Sequence, residues 1–340
     1  MNKKVINILK YALFFGLGIF LVWLSIHKMQ GNPKEWNEFK QALASAHYWL
    51  IIPVFFILSL SHLLRALRWR ILMEPLGYKT SLPNTFFAVM IGYLANMAVP
   101  RLGEVLKCTI LAKYEKVPAE KIVGTIVAER AFDVLSLGII FLMALIFQFD
   151  VVLASFKHVQ LMMAGNPKEA MSQTKKIVLI SIAVAFVLLM IWLYVTKHLH
   201  AFFKKLKTIF LGVWEGLNTA RKLKEKRLFF IYSASIWILY LLGTWIGFYA
   251  TDGTMGLGFK EAVSCLAFAS IGMILTPGGI GAYAYLLAKV LELQQPSIEH
   301  SIGYANGTLQ WAAQCVIVLF VGLICTILLP MHNKRKGEII

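Results

Sequence analysis

Long runs of apolar residues alternate with short polar segments along the whole chain. Two of these runs, 6–26 and 177–195, approach the ~20 residues that a helix needs to cross the hydrocarbon core of a bilayer. The pattern predicts an all-α polytopic membrane protein that forms a single membrane domain over 1–340. The apolar segments lie at about 6–26, 49–64, 83–100, 122–149, 177–196, 229–250, 263–276 and 304–329, with a weaker one at about 280–291.

Two of the apolar segments end at a helix breaker and are followed by a shorter apolar stretch. One breaks at Pro100 and the other at the Pro-Gly-Gly of 277–279. Proline and paired glycines cannot continue a helix without a loss of stability. We therefore predict about six full transmembrane helices and two re-entrant helical hairpins, the first over about 83–114 and the second over about 263–291.

The two predicted hairpins are similar to each other in sequence. Each enters its break at a proline, continues to a Leu-Ala-Lys triplet and reaches a second proline. These three landmarks are 177, 176 and 178 residues apart in the two copies. One hairpin is expected to enter from the cytoplasm and the other from outside. This arrangement predicts an inverted repeat, in which interrupted helices of the two halves meet near the midplane around a substrate site.

Charged residues are few, and most of them are basic. The chain is 59% hydrophobic and 15% charged, with 34 Lys and Arg against 17 Asp and Glu. This composition excludes a secreted disulfide scaffold, a cytosolic enzyme and a disordered binder. The net charge of +17 lies mostly between the apolar runs, which indicates membrane topology and anionic lipid, and no nucleic acid. The uneven distribution of Lys and Arg between alternate loops predicts that both termini are cytoplasmic. The protein is expected to lie in the cell (inner) membrane.

Two stretches outside the apolar segments are amphipathic. Residues 33–46 are expected on the outer surface. The basic segment at about 197–227 is expected to form a helix in the inner interface. The alternative for this segment is a solvated loop that carries the topology charges.

Three ionisable residues, Glu129, Arg130 and Asp133, lie inside the fourth apolar segment. Their spacings place all three toward one side of a helix. An unpaired charge at bilayer depth is costly, so we expect them to face a partner or a wet cavity. Two interpretations stay open: an ion pair that ties this helix to another, or an ion relay or headgroup-binding site.

The predicted hairpin tips carry candidate phosphate ligands. In the first tip, Arg101 and Glu104 place opposite charges beside the break, and Lys107 follows one turn later. The planar fork of arginine suits a phosphate because it donates two hydrogen bonds at once. In the second tip, backbone N–H groups at the start of a half-helix can hold an anion. The candidates there are Gly278, Gly279 and Gly281.

Polar residues on two further segments complete the candidate set. Arg65 and Arg68 lie on one face at the end of the second apolar segment, either as a stop signal at the inner leaflet or as cavity residues. Asn306, Gln310 and Gln314 recur every four residues in the last segment. Such a stripe suits helix–helix contacts as well as a cavity lining. No metal site, cofactor or catalytic residue is expected.

Four motifs together resemble a known family. They are RALRWRIL, NMAVPRLGEVLK, VAERAFDVLSL and TPGGIG, and they occur in this order within roughly 5–330. The set is similar to the lysylphosphatidylglycerol synthase transmembrane-region family, also called the flippase-like domain family. The resemblance implies an all-helical membrane domain with re-entrant hairpins that moves lipids or lipid-linked precursors between leaflets. It also implies a headgroup path lined by Arg101, Glu104, Glu129, Arg130 and Asp133.

The chain departs from the family pattern in two respects. Gly281 to Ala284 stand where members commonly carry a glutamate after the Pro-Gly-Gly turn, which argues against a mechanism with a carboxylate on this hairpin. Up to Ile340 the chain has no soluble aminoacyl-transferring domain, so lysyl-lipid synthesis is not expected.

The residues and the resemblance favour a flippase or scramblase for a lipid or lipid-linked precursor with an anionic headgroup. The expected partners are an anionic phospholipid or polyprenyl-linked substrate and envelope-biosynthesis enzymes. No G-x-x-x-x-G-K-[ST] motif occurs, so uphill transport must use an ion gradient. The alternatives are a small-anion secondary transporter, a membrane enzyme acting on lipid phosphates, and a non-transporting partner of an envelope enzyme. An enzyme is not the expectation, because the aspartates are scattered.

Overall fold

The structure is a computed structural model that describes residues 3–99, 101–149 and 223–335. Within these ranges the chain forms ten α-helices and no strand. The predicted apolar segment 177–196 and most of the basic segment 197–227 lie outside the described residues. The helices are α1 (Lys3–Gln30), α2 (Pro33–Ala44), α3 (Ile51–Met73), α4 (Leu82–Ala98), α5 (Leu102–Glu115), α6 (Ala119–Phe147), α7 (Lys226–Phe248), α8 (Phe259–Leu275), α9 (Ala282–Gln294) and α10 (His300–Arg335).

Four helical stretches within the described ranges are long and apolar enough to cross a membrane. They comprise α3 with its flanking turns, α6, α7 and α10. The rise of 1.5 Å per residue gives α6, with 29 residues, a length of about 43 Å. The all-helical architecture and these apolar spans agree with the predicted class of polytopic membrane protein.

The helix α3 continues well beyond the apolar segment that predicted it. That segment ends near residue 64, whereas the helix runs on to Met73. The extension holds Arg65 and Arg68, which are only 4% and 0% exposed. Neither arginine therefore lies in a solvated loop, as a stop signal would; both are buried among neighbouring helices.

The first predicted hairpin corresponds to α4 and α5, which pack against each other. At Gly103 the two backbones touch, and a Cβ there would collide with the carbonyl oxygen of Gly92. Asn96 accepts a hydrogen bond from the Gly103 N–H over 2.8 Å. This bond satisfies one of the free N–H groups at the start of α5 and fixes the angle of the tip.

The second predicted hairpin corresponds to α8 and α9, joined by a short turn at Pro277–Gly279. Here Gly272 lies against Ala282, where a Cβ on the glycine would be 2.8 Å from the Ala282 carbonyl carbon. Both hairpins thus pair a glycine of the first helix with a small residue of the second. The two tips meet, since a Cβ on Gly278 would lie 4.0 Å from the Cα of Met97.

The long helix α10 packs against both hairpins. Close to its start, Gly303 and Gly307 rest on Ala288 and Ala284 of α9. Further along, Gly322 rests on Leu94 of α4. Small residues allow such close backbone approach between helices. One helix therefore packs against both hairpins, at different positions along its length.

Candidate functional site

A cavity of about 700 Å³ lies where the two hairpin tips meet. Its walls come from α3, α6, α7 and α10, and both tips contribute to it. Met97 of the first tip and Gly278 of the second tip both line the cavity. The hairpins thus hold their breaks at the edge of this cavity.

One face of α3 shows the shape of the cavity. Ile51, Val54, Leu58, His62 and Arg65 all line it and recur every three or four residues. At 1.5 Å per residue this face is about 21 Å long. The cavity therefore extends from the start of α3, beside apolar side chains, to a charged end in the middle of the helix.

Arg65 ties α3 to α6 at this charged end. Its Nη1 lies 2.9 Å from Oε1 of Glu129 and 2.6 Å from Oδ2 of Asp133. Its Nη2 donates to the hydroxyl of Tyr240 on α7 over 3.1 Å. Glu129 and Asp133 are four residues apart, so both point from α6 toward the same guanidinium.

Arg68 lies one turn deeper and faces the same two carboxylates. Its Nη2 is 2.7 Å from Oδ1 of Asp133 and 3.5 Å from Oε1 of Glu129. Its Nη1 donates to the Ser233 hydroxyl over 3.4 Å. Unlike Arg65, Arg68 does not line the cavity. Of the two predicted candidates on α3, Arg65 alone reaches the open space.

Lys107 is buried behind the two arginines. Its Nζ is 3.8 Å from Oε2 of Glu129 and 5.3 Å from the ring centroids of both Trp69 and Tyr93. The ammonium has no hydrogen-bond partner among the described residues. The faces of the two aromatic rings attract a cation.

The buried charges of this cluster do not balance in the described part of the chain. Arg65, Arg68 and Lys107 carry three positive charges, and Glu129 and Asp133 carry two negative ones. The ion-pair interpretation of the α6 motif accounts for the carboxylates. It leaves one excess positive charge beside the end of the cavity that Arg65 lines, which favours an anion there.

Arg130 belongs to a different pair. Its Nη2 is 2.9 Å from Oε1 of Glu104, near the start of α5. The two side chains are 43% and 30% exposed, in contrast to the buried Arg65 pairs. Arg130 still lines the cavity together with Asp133. The predicted trio on α6 therefore divides between two contacts, one with α3 and one with the first hairpin.

The remaining tip candidates lie in several environments. Arg101 is exposed, has a left-handed backbone with φ of 70°, and is not part of the cavity lining. Gly278 lines the cavity and accepts a 2.7 Å hydrogen bond from the indole of Trp311. The Gly279 N–H is already bonded to the Thr276 carbonyl, and Gly281 packs against α1. The glycines thus serve the turn and close packing, and only Gly278 faces the cavity.

The polar stripe of α10 serves both purposes that the sequence left open. Asn306 is buried and bonds the carbonyl oxygen of Gly247 and the hydroxyls of Thr251 and Thr254, which ties α10 to the end of α7. Gln310 bonds Asn306 over 2.8 Å and also lines the cavity. Gln314 lines it too.

Several lining residues were not singled out from the sequence. They are Tyr93, Asn96, Trp237, Tyr240, Tyr283 and Trp311. Aromatic residues are common in apolar segments, so nothing local distinguishes those that face a cavity. In the described ranges, no group of three His, Cys, Asp or Glu side chains is placed to hold a metal ion.

Comparison with known proteins places the chain in a family. The model of the lysylphosphatidylglycerol synthase transmembrane region matches residues 7–305. UPF0104 membrane protein MJ1595 of Methanocaldococcus jannaschii is 22% identical over 301 residues, which cover 85% of this chain and 87% of that protein. No solved structure matches the chain significantly. The family match spans the motifs at 65–72, 96–107, 127–137 and 276–281, so the chain belongs to the lysylphosphatidylglycerol synthase transmembrane-region family.

Proposed function

We propose that the protein is a flippase or scramblase that moves a lipid or lipid-linked precursor with an anionic headgroup between leaflets. The observation that carries this proposal is the cavity, which has apolar walls along α3 and an excess positive charge beside the end that Arg65 lines. Membership of a family named for a lipid synthase's membrane region agrees with a lipid substrate.

The headgroup would be held where the cavity meets the charge cluster. Arg65 and Arg130 both line this end, and the hydroxyl of Tyr240 lies beside Arg65. Guanidinium groups suit phosphate because they donate paired hydrogen bonds. A bound phosphate would offset the excess positive charge of the cluster. Glu104 and Asp133 would then gate the path or carry protons.

The membrane arrangement that we propose has two re-entrant hairpins related as an inverted repeat. The helices α5 and α9 have 14 and 13 residues, about 20 Å each, and are too short to cross a hydrocarbon core of ~30 Å. With the N-terminus in the cytoplasm of a cell (inner) membrane, the start of α3 and the mouth of the cavity face outside. In this proposal the protein acts as a transporter and not as an enzyme. Its proposed protein partners are envelope-biosynthesis enzymes.

The test is leaflet exchange of fluorescent lipids in proteoliposomes. The panel would hold phosphatidylglycerol, phosphatidylethanolamine and a polyprenyl-linked phosphate, each with a reporter that an outside quencher destroys. We expect the wild type to expose the inner pool of at least one anionic lipid. Arg130→Gln should slow this exchange at least tenfold. Lys260→Gln removes one positive charge from the exposed start of α8 and should match the wild type.

Three results would contradict the proposal. The first is exchange no faster than in empty vesicles for every lipid on the panel. The second is uptake of inorganic phosphate or sulfate into sealed vesicles without lipid exchange, which would identify a small-anion transporter. Release of phosphate or sugar from a lipid during the assay would identify an enzyme instead.

A further inference from the structure

The helices α6 and α8 pack side by side over only part of their length. Phe147 contacts Phe259 with ring centroids 5.9 Å apart, and Phe141 contacts Phe268 at 5.4 Å. The two helices run antiparallel, because the residue number on α6 decreases from one contact to the next while the residue number on α8 increases. Continued in this register, the contact would next reach Val134, where α8 ends at Leu275 before the proline break.

The end of this contact leaves exposed side chains that also line the cavity. Along α8, residues Ala262 to Ala267 are buried, whereas Met273 and Ile274 in its last turn are exposed. Ile274 is 68% exposed, and Val134 on α6 is 56% exposed. Both side chains are nevertheless part of the cavity lining. A residue that lines a cavity and is this exposed marks a gap in the wall.

The gap lies halfway along α6. Val134 is close to the centre of the helix Ala119–Phe147, and Arg130 precedes it by one turn. A half-exposed guanidinium at the middle of a spanning helix is costly if it faces hydrocarbon. Arg130 must therefore face the wet interior, while Val134 and Ile274 suit lipid. The wet cavity beside Arg130 and the lipid beside Val134 are therefore only one helical turn apart, about 6 Å along the axis of α6.

We propose that this gap, bounded by Val134, Met273 and Ile274, is a side opening through which the acyl chains of the lipid substrate pass. The inference rests on the proposed function, and it adds where the chains leave the protein. The headgroup occupies the cavity near Arg130, and the chains extend past Val134 into the bilayer. A small anion would need no such opening, whereas an amphiphile needs one that is continuous with the polar site.

The first experiment narrows the opening. Val134→Trp and Ile274→Trp each place an indole at its edge, and Ile146→Trp is the control on the same helix, at a lipid-facing position that is 73% exposed and outside the cavity lining. We expect lipid exchange to fall at least tenfold in the first two variants and to stay within twofold in the control. Equal exchange in all three variants and the wild type would overturn the side opening and leave the proposed function intact.

The second experiment makes its main comparison on the wild type, so it does not depend on the folding of the Trp variants. Anionic and zwitterionic lipids with a photoactivatable group halfway along one acyl chain are crosslinked to the wild type, and labelled positions are mapped by mass spectrometry. We expect the anionic probe to label Val134 and Ile274 more strongly, relative to Ile146, than the zwitterionic probe does. Arg130→Gln should remove this preference. Equal labelling ratios for the two probes would overturn the side opening, whether or not the wild type exchanges lipid.

Discussion

The guanidinium of Arg130 donates a hydrogen bond from Nη2 to Oε1 of Glu104 over 2.9 Å, and this bond joins the middle of α6 to the start of α5 in the first hairpin. Both side chains are partly exposed. The neighbouring pair of Arg65 and Glu129 is fully buried, although Glu129 is adjacent to Arg130 in sequence. Two ion pairs formed by consecutive residues of α6 thus differ in burial. We expect them to differ in how much each contributes to the free energy of unfolding.

The first prediction compares the two pairs by stability. Arg65→Gln leaves Glu129 and Asp133 short of a positive partner in the interior, and breaking a buried pair in this way costs about 3–5 kcal/mol. Arg130→Gln breaks a partly exposed pair, which is worth about 0–1 kcal/mol. Thermal unfolding in detergent should therefore show a large loss for Arg65→Gln and little change for Arg130→Gln. Equal losses would show that Arg130 is as structural as Arg65.

The second prediction concerns the excess charge at Lys107. Lys107→Met keeps a similar volume and removes an ammonium that makes no hydrogen bond in the described residues. Glu129 retains Arg65 and Arg68, so stability should change little. Exchange of anionic lipid should fall several-fold, while any exchange of zwitterionic lipid should not. Lys260→Gln controls for the loss of a charge elsewhere. An equal effect on both lipid classes would contradict the role of the excess charge.

The third prediction separates packing from anion binding in the second tip. Gly281 has a φ of +69°, and a Cβ there would collide with the Gly18 carbonyl oxygen of α1. Gly281→Ala should destabilise the protein by about 1–3 kcal/mol from backbone strain alone. Gly138→Ala, in open space on α6, should be neutral or stabilise by about 0.5–1 kcal/mol. Unchanged stability of Gly281→Ala with a selective loss of lipid exchange would favour anion binding instead.

The fourth prediction concerns pH at the start of α2. Lys34 Nζ lies 2.6 Å from Oε1 of Glu299, and this hydrogen bond holds the pKa of Glu299 below its ordinary value. A lowered pKa means that the link contributes stability above the ordinary glutamate pKa of about 4.3 and loses it as the pH falls below that. Amide exchange of α2, corrected for intrinsic rates, should accelerate in that range.

The control for this pH effect is a second lysine of the same helix. Lys34→Gln should remove the pH dependence of amide exchange in α2, and Lys40→Gln, which keeps the link to Glu299, should preserve it. The effect is expected to be small, because Lys34 is exposed. The same pH dependence in both variants would place its origin elsewhere.

Local features of the sequence predicted the hairpins and the charged motif of α6. Proline and paired glycines disfavour a continuing helix, so the break of each hairpin could be predicted without a structure. The partners of Glu129 and Asp133 were not, because Arg65 and Arg68 lie more than 60 positions away and reach them only through the packing of α3 on α6. The separate pairing of Arg130 likewise depends on where the first hairpin docks.

The glycines of the second tip show another limit of sequence reasoning. Paired glycines fit both a site for an anion and a tight turn beneath a neighbouring helix. The choice depends on α1, whose Gly18 lies against Gly281 although the two are far apart in sequence. Small residues thus reveal their role only when the helix that covers them is known.

The meeting of the two hairpin tips has a mechanical consequence. Asn96 accepts a hydrogen bond from the Gly103 N–H within the first hairpin, and the Gly278 carbonyl accepts one from Trp311 of α10. No hydrogen bond crosses from one tip to the other among their described residues. What joins Met97 to Gly278 is contact alone, at about 0.1–0.2 kcal/mol per pair of atoms. The two tips therefore meet through van der Waals contact at the edge of the cavity, and they can part and reclose without breaking a hydrogen bond.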